Sequence, residues 1–174
     1  MAKLFIQDLP TEQELKASCG DLHTEDVDAG ILHSNLLFMK VANELDNHFE
    51  GVLSKYSLSS GRFTLLYMLR NAPEGLSPSA LASMAGVTQA TISGLLNNME
   101  KNELIVRETH VKDGRSFVIK LTAKGDSTLK EIFPQWYPRV KSFWEQQFSK
   151  EQLIAFKATL EEMIKKTEVL ATEG

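Results

Sequence analysis

Apolar residues recur at helical spacing along most of the chain and at strand spacing in one stretch. From about Val27 to Tyr56, Ile31, Leu32, Leu36, Met39, Val41, Leu45, Phe49, Val52 and Leu53 keep the three-and-four rhythm of a helix with one apolar side. That length, about 25 residues, exceeds the usual single-domain helix. Ser59 or Ser60 opens a second helix with Phe63, Leu66, Tyr67 and Leu69 inward, and Asn71-Ala72-Pro73-Glu74-Gly75 breaks it. Upstream, Thr11 and Glu14 form a capping box for a short helix to about Cys19, which Gly20 is expected to end. Downstream, Thr122 caps a long helix toward Gln147, which Pro134 and Pro138 are expected to kink. Ser149 and Gln152 form another capping box, opening a final helix with Leu153, Phe156, Leu160, Ile164 and Leu170 on its apolar side.

Between these long helices the pattern shortens. Ser77 caps a brief helix, Pro78 suits its first turn, and Ala80, Leu81 and Met84 supply an apolar face. Gly86 provides the positive φ of a sharp turn, and Thr88 caps a second helix to about Lys101. A small residue at Ala82, a glycine four positions on and the β-branched Ile92 six further match a helix-turn-helix. Then Ile105 to Val111 and Ser116 to Leu121, two β-rich runs about Lys112-Asp113-Gly114-Arg115, predict a hairpin with a basic tip. Two helices followed by a hairpin make a winged helix-turn-helix, which presses one helix into the major groove of DNA.

On a helical wheel, Ile92, Leu95, Leu96 and Met99 share one narrow side. Opposite them lie Ala90, Ser93, Gly94 and Asn97, with Gln89 at the amino-terminal end. This small, polar side fits a groove about 12 Å wide. Gln89 can pair with an adenine edge, and the methyls of Ala90 and Thr91 can meet a thymine methyl. Ser93 and Asn97 can take phosphates or bases. A mid-helix glycine costs about 1 kcal/mol against alanine, so Gly94 suggests close approach of another surface. Lys112 and Arg115 at the hairpin tip can reach the adjacent minor groove.

Charge agrees in its distribution more than in its total. The 174-residue chain has net charge −4, yet residues 77–125 carry six basic and four acidic groups, net +2, and are the only positive segment. Residues 1–28 are net −5, an acidic extension. Segregated charge sets the field at a contact surface, so moderate affinity falling steeply with salt is expected. Hydrophobic content of 43% with 24% charged residues describes a globular protein, and no apolar run reaches membrane-spanning length. No signal peptide is evident, and the single cysteine, Cys19, excludes an internal disulfide; a cytoplasmic location is expected.

The chain resembles MarR-family transcriptional regulators. The matching residues are Leu58-Ser59 with Phe63 and Leu66, the helix pair from Ser77 to Met99, Asp113-Gly114-Arg115, and Leu121-Thr122-Ala123-Lys124-Gly125, which fits that family's Leu-Thr-x-x-Gly. The most specific part is the D-x-R wing element with the Leu-Thr pair shortly after it. The resemblance covers about Val27 to Leu170. It implies a mainly α fold with a small β-wing: an extension over residues 1–28, then a domain over 29–174. Within that domain the DNA-binding lobe spans about 59–122, and dimerisation helices span about 29–56 and 123–172. It further implies a homodimer, often a repressor, on a pseudo-palindromic double-stranded DNA operator, answering to small aromatic or phenolic effectors. DNA contacts are then expected from Ser77, Thr88, Gln89, Ala90, Thr91, Ser93, Gly94, Asn97, Lys112 and Arg115. His33, Met39, Arg62 and Tyr67 fall on helices that can line an effector site. Many relatives carry arginine or lysine where Gly94 and Asn98 stand, so this helix is less basic than usual. Relatives often have glycine at the position of Glu103, and Asn102 is expected to take the left-handed cap instead.

Trp136, Tyr137, Phe143, Trp144 and Phe148 concentrate aromatics in the long helix and its end, more than one small monomer readily buries. This favours a partner surface; the family resemblance implies that the terminal helices of two subunits interlock, which would put two recognition helices about one DNA turn apart. Catalysis finds no support: no nucleophile elbow, phosphate loop or Cys-x-x-Cys occurs. Glu44 and His48 stand at i, i+4, a spacing that more often marks a surface contact than a metal site. No cofactor, metal or membrane partner is expected. The alternative to a DNA-binding regulator is a winged-helix protein-interaction module without DNA binding, which the thin basic charge favours slightly.

Overall fold

A computed structural model describes residues 8–21, 27–109 and 117–170. Seven α-helices and one two-stranded sheet appear among the described residues: α1 (Glu12–Asp21), α2 (Ala29–Leu53), α3 (Ser60–Arg70), α4 (Pro78–Ala85), α5 (Gln89–Lys101), β1 (Ile105–Thr109), β2 (Phe117–Leu121), α6 (Ala123–Gln147) and α7 (Lys150–Leu170). The chain divides into two compact units between Thr64 and Leu65, a point inside α3.

In the first unit, α1 packs along α2. The Thr11 capping box forms, with Thr11 N donating to Glu14 Oε2 at 2.7 Å and Glu14 N to Thr11 Oγ1 at 3.2 Å. The backbone hydrogen bond from Thr11 holds the Glu14 carboxyl below its ordinary pKa. The helix continues past Gly20 to Asp21, so the glycine does not end it. Asp28 caps α2, its Oδ1 accepting from Gly30 N and Ile31 N. A short 3-10 turn, Ser54–Tyr56, follows α2. Leu58 N then returns to Leu53 O, and Ser57 turns the chain with φ 54°. The start of α3 is capped from α2: Glu50 Oε1 accepts from Ser60 N at 2.6 Å, and Asp46 Oδ1 from Ser60 Oγ at 3.0 Å. Phe49 and Phe63 meet edge to face.

The second unit is built on Leu65, Leu66, Leu69, Leu81, Ala82, Ile92, Leu96, Met99, Leu104, Ile105, Ile119, Leu129 and Ile132, all buried. Two residues expected inward are not. Tyr67 and Met84 are exposed, and Ala82 takes the inward place on α4. The strands pair antiparallel in the register Ile105↔Leu121 to Thr109↔Phe117. Residues 110–116, which include the expected hairpin tip, lie outside the described residues. A bridge absent from the sequence reading joins Leu76 to Ile119 on the free edge of β2, with backbone bonds of 3.0 and 2.8 Å. Gly75, at φ 85°, allows this approach, because a side chain there would meet Ile119 O at 2.8 Å.

The junction around α5, β1 and α6 is tightly tied. Leu104 N bonds to Met99 O and Glu103 N to Glu100 O, the paired bonds of a Schellman end. That geometry puts the left-handed residue at Glu103 (φ 61°), while Asn102 keeps φ −89°. The expectation for Asn102 is therefore corrected: its side chain bonds back to Asn98 O at 2.7 Å instead. Thr122 Oγ1 caps α6 by accepting from Gly125 N and also donates to Glu103 O at 2.7 Å. Pro134 and Pro138 both lie inside one uninterrupted helical span. The Ser149–Gln152 box forms, with bonds of 2.8 and 3.2 Å.

Candidate nucleic-acid interface

The α4–α5 pair follows from local chemistry. Ser77 Oγ accepts from Ala80 N at 3.1 Å, and Pro78 occupies the first turn, where its missing N–H costs nothing. Gly86 ends α4 at φ 63°. Thr88 Oγ1 then accepts from Thr91 N at 3.2 Å and opens α5. Ile92, Leu96 and Met99 are buried and Leu95 half-buried, so the other side of α5 is held outward.

On that outward side stand Gln89, Ala90, Thr91, Ser93, Gly94 and Asn97, all exposed. Thr88 is exposed too, and its hydroxyl lies 3.0 Å from that of Thr91. Ser77 is half-buried, its hydroxyl engaged by the cap and by Ser79 Oγ at 2.9 Å. Lys112 and Arg115 lie outside the described residues. The wheel reading of α5 thus matches its burial, while the contribution of the hairpin tip rests on sequence.

One group missed by sequence reasoning joins strand to helix. Arg107 of β1 shares the inward side of the hairpin with Ile105 and Ile119, a place where a strand ordinarily puts an apolar residue. Its Nη2 donates to Asn97 Oδ1 at 2.7 Å, and its Nε lies 3.4 Å from Glu100 Oε2. The guanidinium also sits 5.4 Å from the centre of the Phe117 ring. Its Nε is buried without a hydrogen bond, so the Glu100 contact is an ion pair only. The available signal was period two: Ile105, Arg107 and Thr109 alternate on one side, with the arginine ten residues beyond Asn97.

Two cations of the second unit, on β2 and α6, are internally compensated. Lys120 pairs with Glu108 at 2.9 Å, and that hydrogen bond raises the Lys120 pKa. Lys124 pairs with Glu103 at 3.0 Å. Lys101, in the last turn of α5, is exposed. The outward side of α5 is therefore a small polar ridge able to donate and accept hydrogen bonds.

Of the expected effector residues, His33 is half-buried and Met39 exposed on α2. Arg62 Nε donates to Ser59 Oγ at 3.2 Å, and Tyr67 is exposed. The Glu44 carboxylate is engaged by Lys40 at 3.0 Å. Among the described residues, no group of three or more His, Cys, Asp or Glu side chains is placed to hold a metal ion. No helix among them is long and apolar enough to cross a membrane.

A family model described as the MarR family matches residues 58–117. The chain is similar to an HTH-type transcriptional repressor, YetL, of Bacillus subtilis (strain 168). The two are 31% identical over 120 residues, covering 68% of this chain and 72% of that protein. It is also similar to a solved complex of S. aureus MepR with DNA, at 26% identity and TM-score 0.68, covering 76% of this chain and 96% of that one. A MarR family protein from Bacillus stearothermophilus shares the fold at 21% identity and TM-score 0.66, covering 82% and 98% of the two chains.

Proposed function

The chain belongs to the MarR family, and from that premise we propose how it works as a DNA-binding transcriptional regulator: a homodimer whose paired α5 helices read a pseudo-palindromic operator and repress transcription. The observation carrying the reading is the exposed strip Gln89, Ala90, Ser93, Gly94 and Asn97, held outward by the buried Ile92, Leu96 and Met99. Support for DNA as the partner comes from the likeness to MepR, solved bound to DNA, and support for repression from the likeness to a named repressor. Gln89, Ser93 and Asn97 carry register or base readout, the Ala90 and Thr91 methyls meet thymine, and Lys112 and Arg115 grip the flanks. Ser77 and Thr88, both caps, bring helix N-termini toward phosphates.

A small aromatic or phenolic effector weakens this binding. It favours one spacing of the recognition helices and shifts the population by its differential affinity for the two states. Mobility shift on the gene's own upstream region, over a salt series, is the direct test. A salt-sensitive shift is expected; an interaction module without DNA binding gives none. Arg115→Ala should lower operator affinity by more than Arg139→Ala on the exposed surface of α6. Equal effects would remove the wing from the proposal.

A further inference from the structure

Arg107 sits where strand and recognition helix meet, and its three partners are all on the DNA-facing half of the second unit. A guanidinium only donates, so the Asn97 amide beside it must turn its oxygen inward and its NH2 away. An asparagine free to use both atoms can pair with adenine in two-point fashion. Asn97 has one of its two atoms already committed. The Glu100 carboxylate, 40% exposed on the same helix, lies beside the same arginine.

Resting on the DNA-binding reading above, we propose that Arg107 is a positioning residue for operator recognition, orienting the Asn97 amide so that α5 offers a donor there. It touches no base itself. Its cation is paired with Glu100, and its planar group lies 5.4 Å from the centre of the Phe117 ring. The Asn97 NH2 therefore selects an acceptor, such as a guanine or adenine N7, a thymine O4 or a phosphate oxygen.

The full-length protein first selects sites from a randomised duplex pool. Asn97→Ala, Arg107→Ala and the double variant then undergo the same selection, and each is titrated on the wild-type site over a salt series. Each single variant is expected to lose about tenfold in affinity, the worth of one good polar contact. The double variant should lose no more than Arg107→Ala alone, since both changes break one unit. Base preference should relax at the same positions in all three, with the slope of log K against log salt unchanged. A slope shallower by about one for Arg107→Ala, additive with Asn97→Ala, would make Arg107 a phosphate ligand and overturn the proposal. Unchanged affinity and preference would do so equally. Arg107→Lys covers the case in which the alanine variant does not fold: it keeps a cation near Glu100 without the fork, and should relax the same positions. If the wild type enriches no sequence and binds no duplex, the DNA-binding reading falls, and this proposal with it, before any variant is compared.

Discussion

Gly94 tests the interface one residue at a time. A Cβ built there meets nothing within 4 Å, so no contact within the described chain requires a glycine at the middle of α5. The residue nevertheless costs the helix about 1 kcal/mol relative to alanine. Gly94→Ala should therefore raise thermal stability by up to about 1 kcal/mol and, on the proposal that duplex packs against that point, lower operator affinity. Parallel melting and binding titrations check both signs; a gain in stability with unchanged affinity would mean that DNA does not approach α5 there. What was legible at this scale was local. Ser77, Thr88, Thr122 and Ser149 were readable as caps because a cap depends on the next three residues. Glu103 was not, because its positive φ follows from the 6→1 bond closing α5. The tie between Asn97 and Arg107 was not, because only strand pairing brings those residues together.

At the level of elements, the Leu-Thr-x-x-Gly stretch acquires a physical reason. Thr122 links the start of α6 to Glu103 O through its hydroxyl and to Leu104 O through its amide, at 2.7 and 3.1 Å. Gly125 then passes against that same segment, where a Cβ would collide with Leu104 O and come within 2.6 Å of Leu121 Cδ1. The obstacle is backbone, which cannot swing aside. Gly125→Ala should destabilise the protein by about 1–3 kcal/mol, the usual cost of overpacking, and chemical denaturation should show it as a lower midpoint. A midpoint equal to wild type would mean that α6 shifts freely on the hairpin. The long helices and the hairpin were visible in sequence because their periodicities extend over many residues. The one-residue bridge at Leu76 has no periodicity and was invisible, as was the inward arginine of β1, whose charge breaks the apolar alternation.

The whole molecule poses the question of what covers its remaining apolar surface. The α7 stripe begins with Leu153, Phe156 and Leu160, each half-buried, and continues to Ile164, which is 65% exposed. In α2, Ile31 is 71% exposed, and Leu37, Phe38, Met39 and Val41 are exposed as well. Helices of 25 and 21 residues whose apolar sides outrun the packing among the described residues suit a second copy. In a two-fold dimer each interface substitution counts twice. Burying an isoleucine is worth about 1.5–3 kcal/mol, so Ile164→Glu loses at least about 3 kcal/mol per dimer before the cost of a buried charge. The dissociation constant should rise about a hundredfold or more, read by light scattering over a dilution series. Operator affinity should fall in step, because two weakly linked lobes lose the advantage of binding together. A variant that stays dimeric at every concentration would place Ile164 outside the interface. A wild type that is monomeric yet binds its operator tightly would separate recognition from dimerisation altogether.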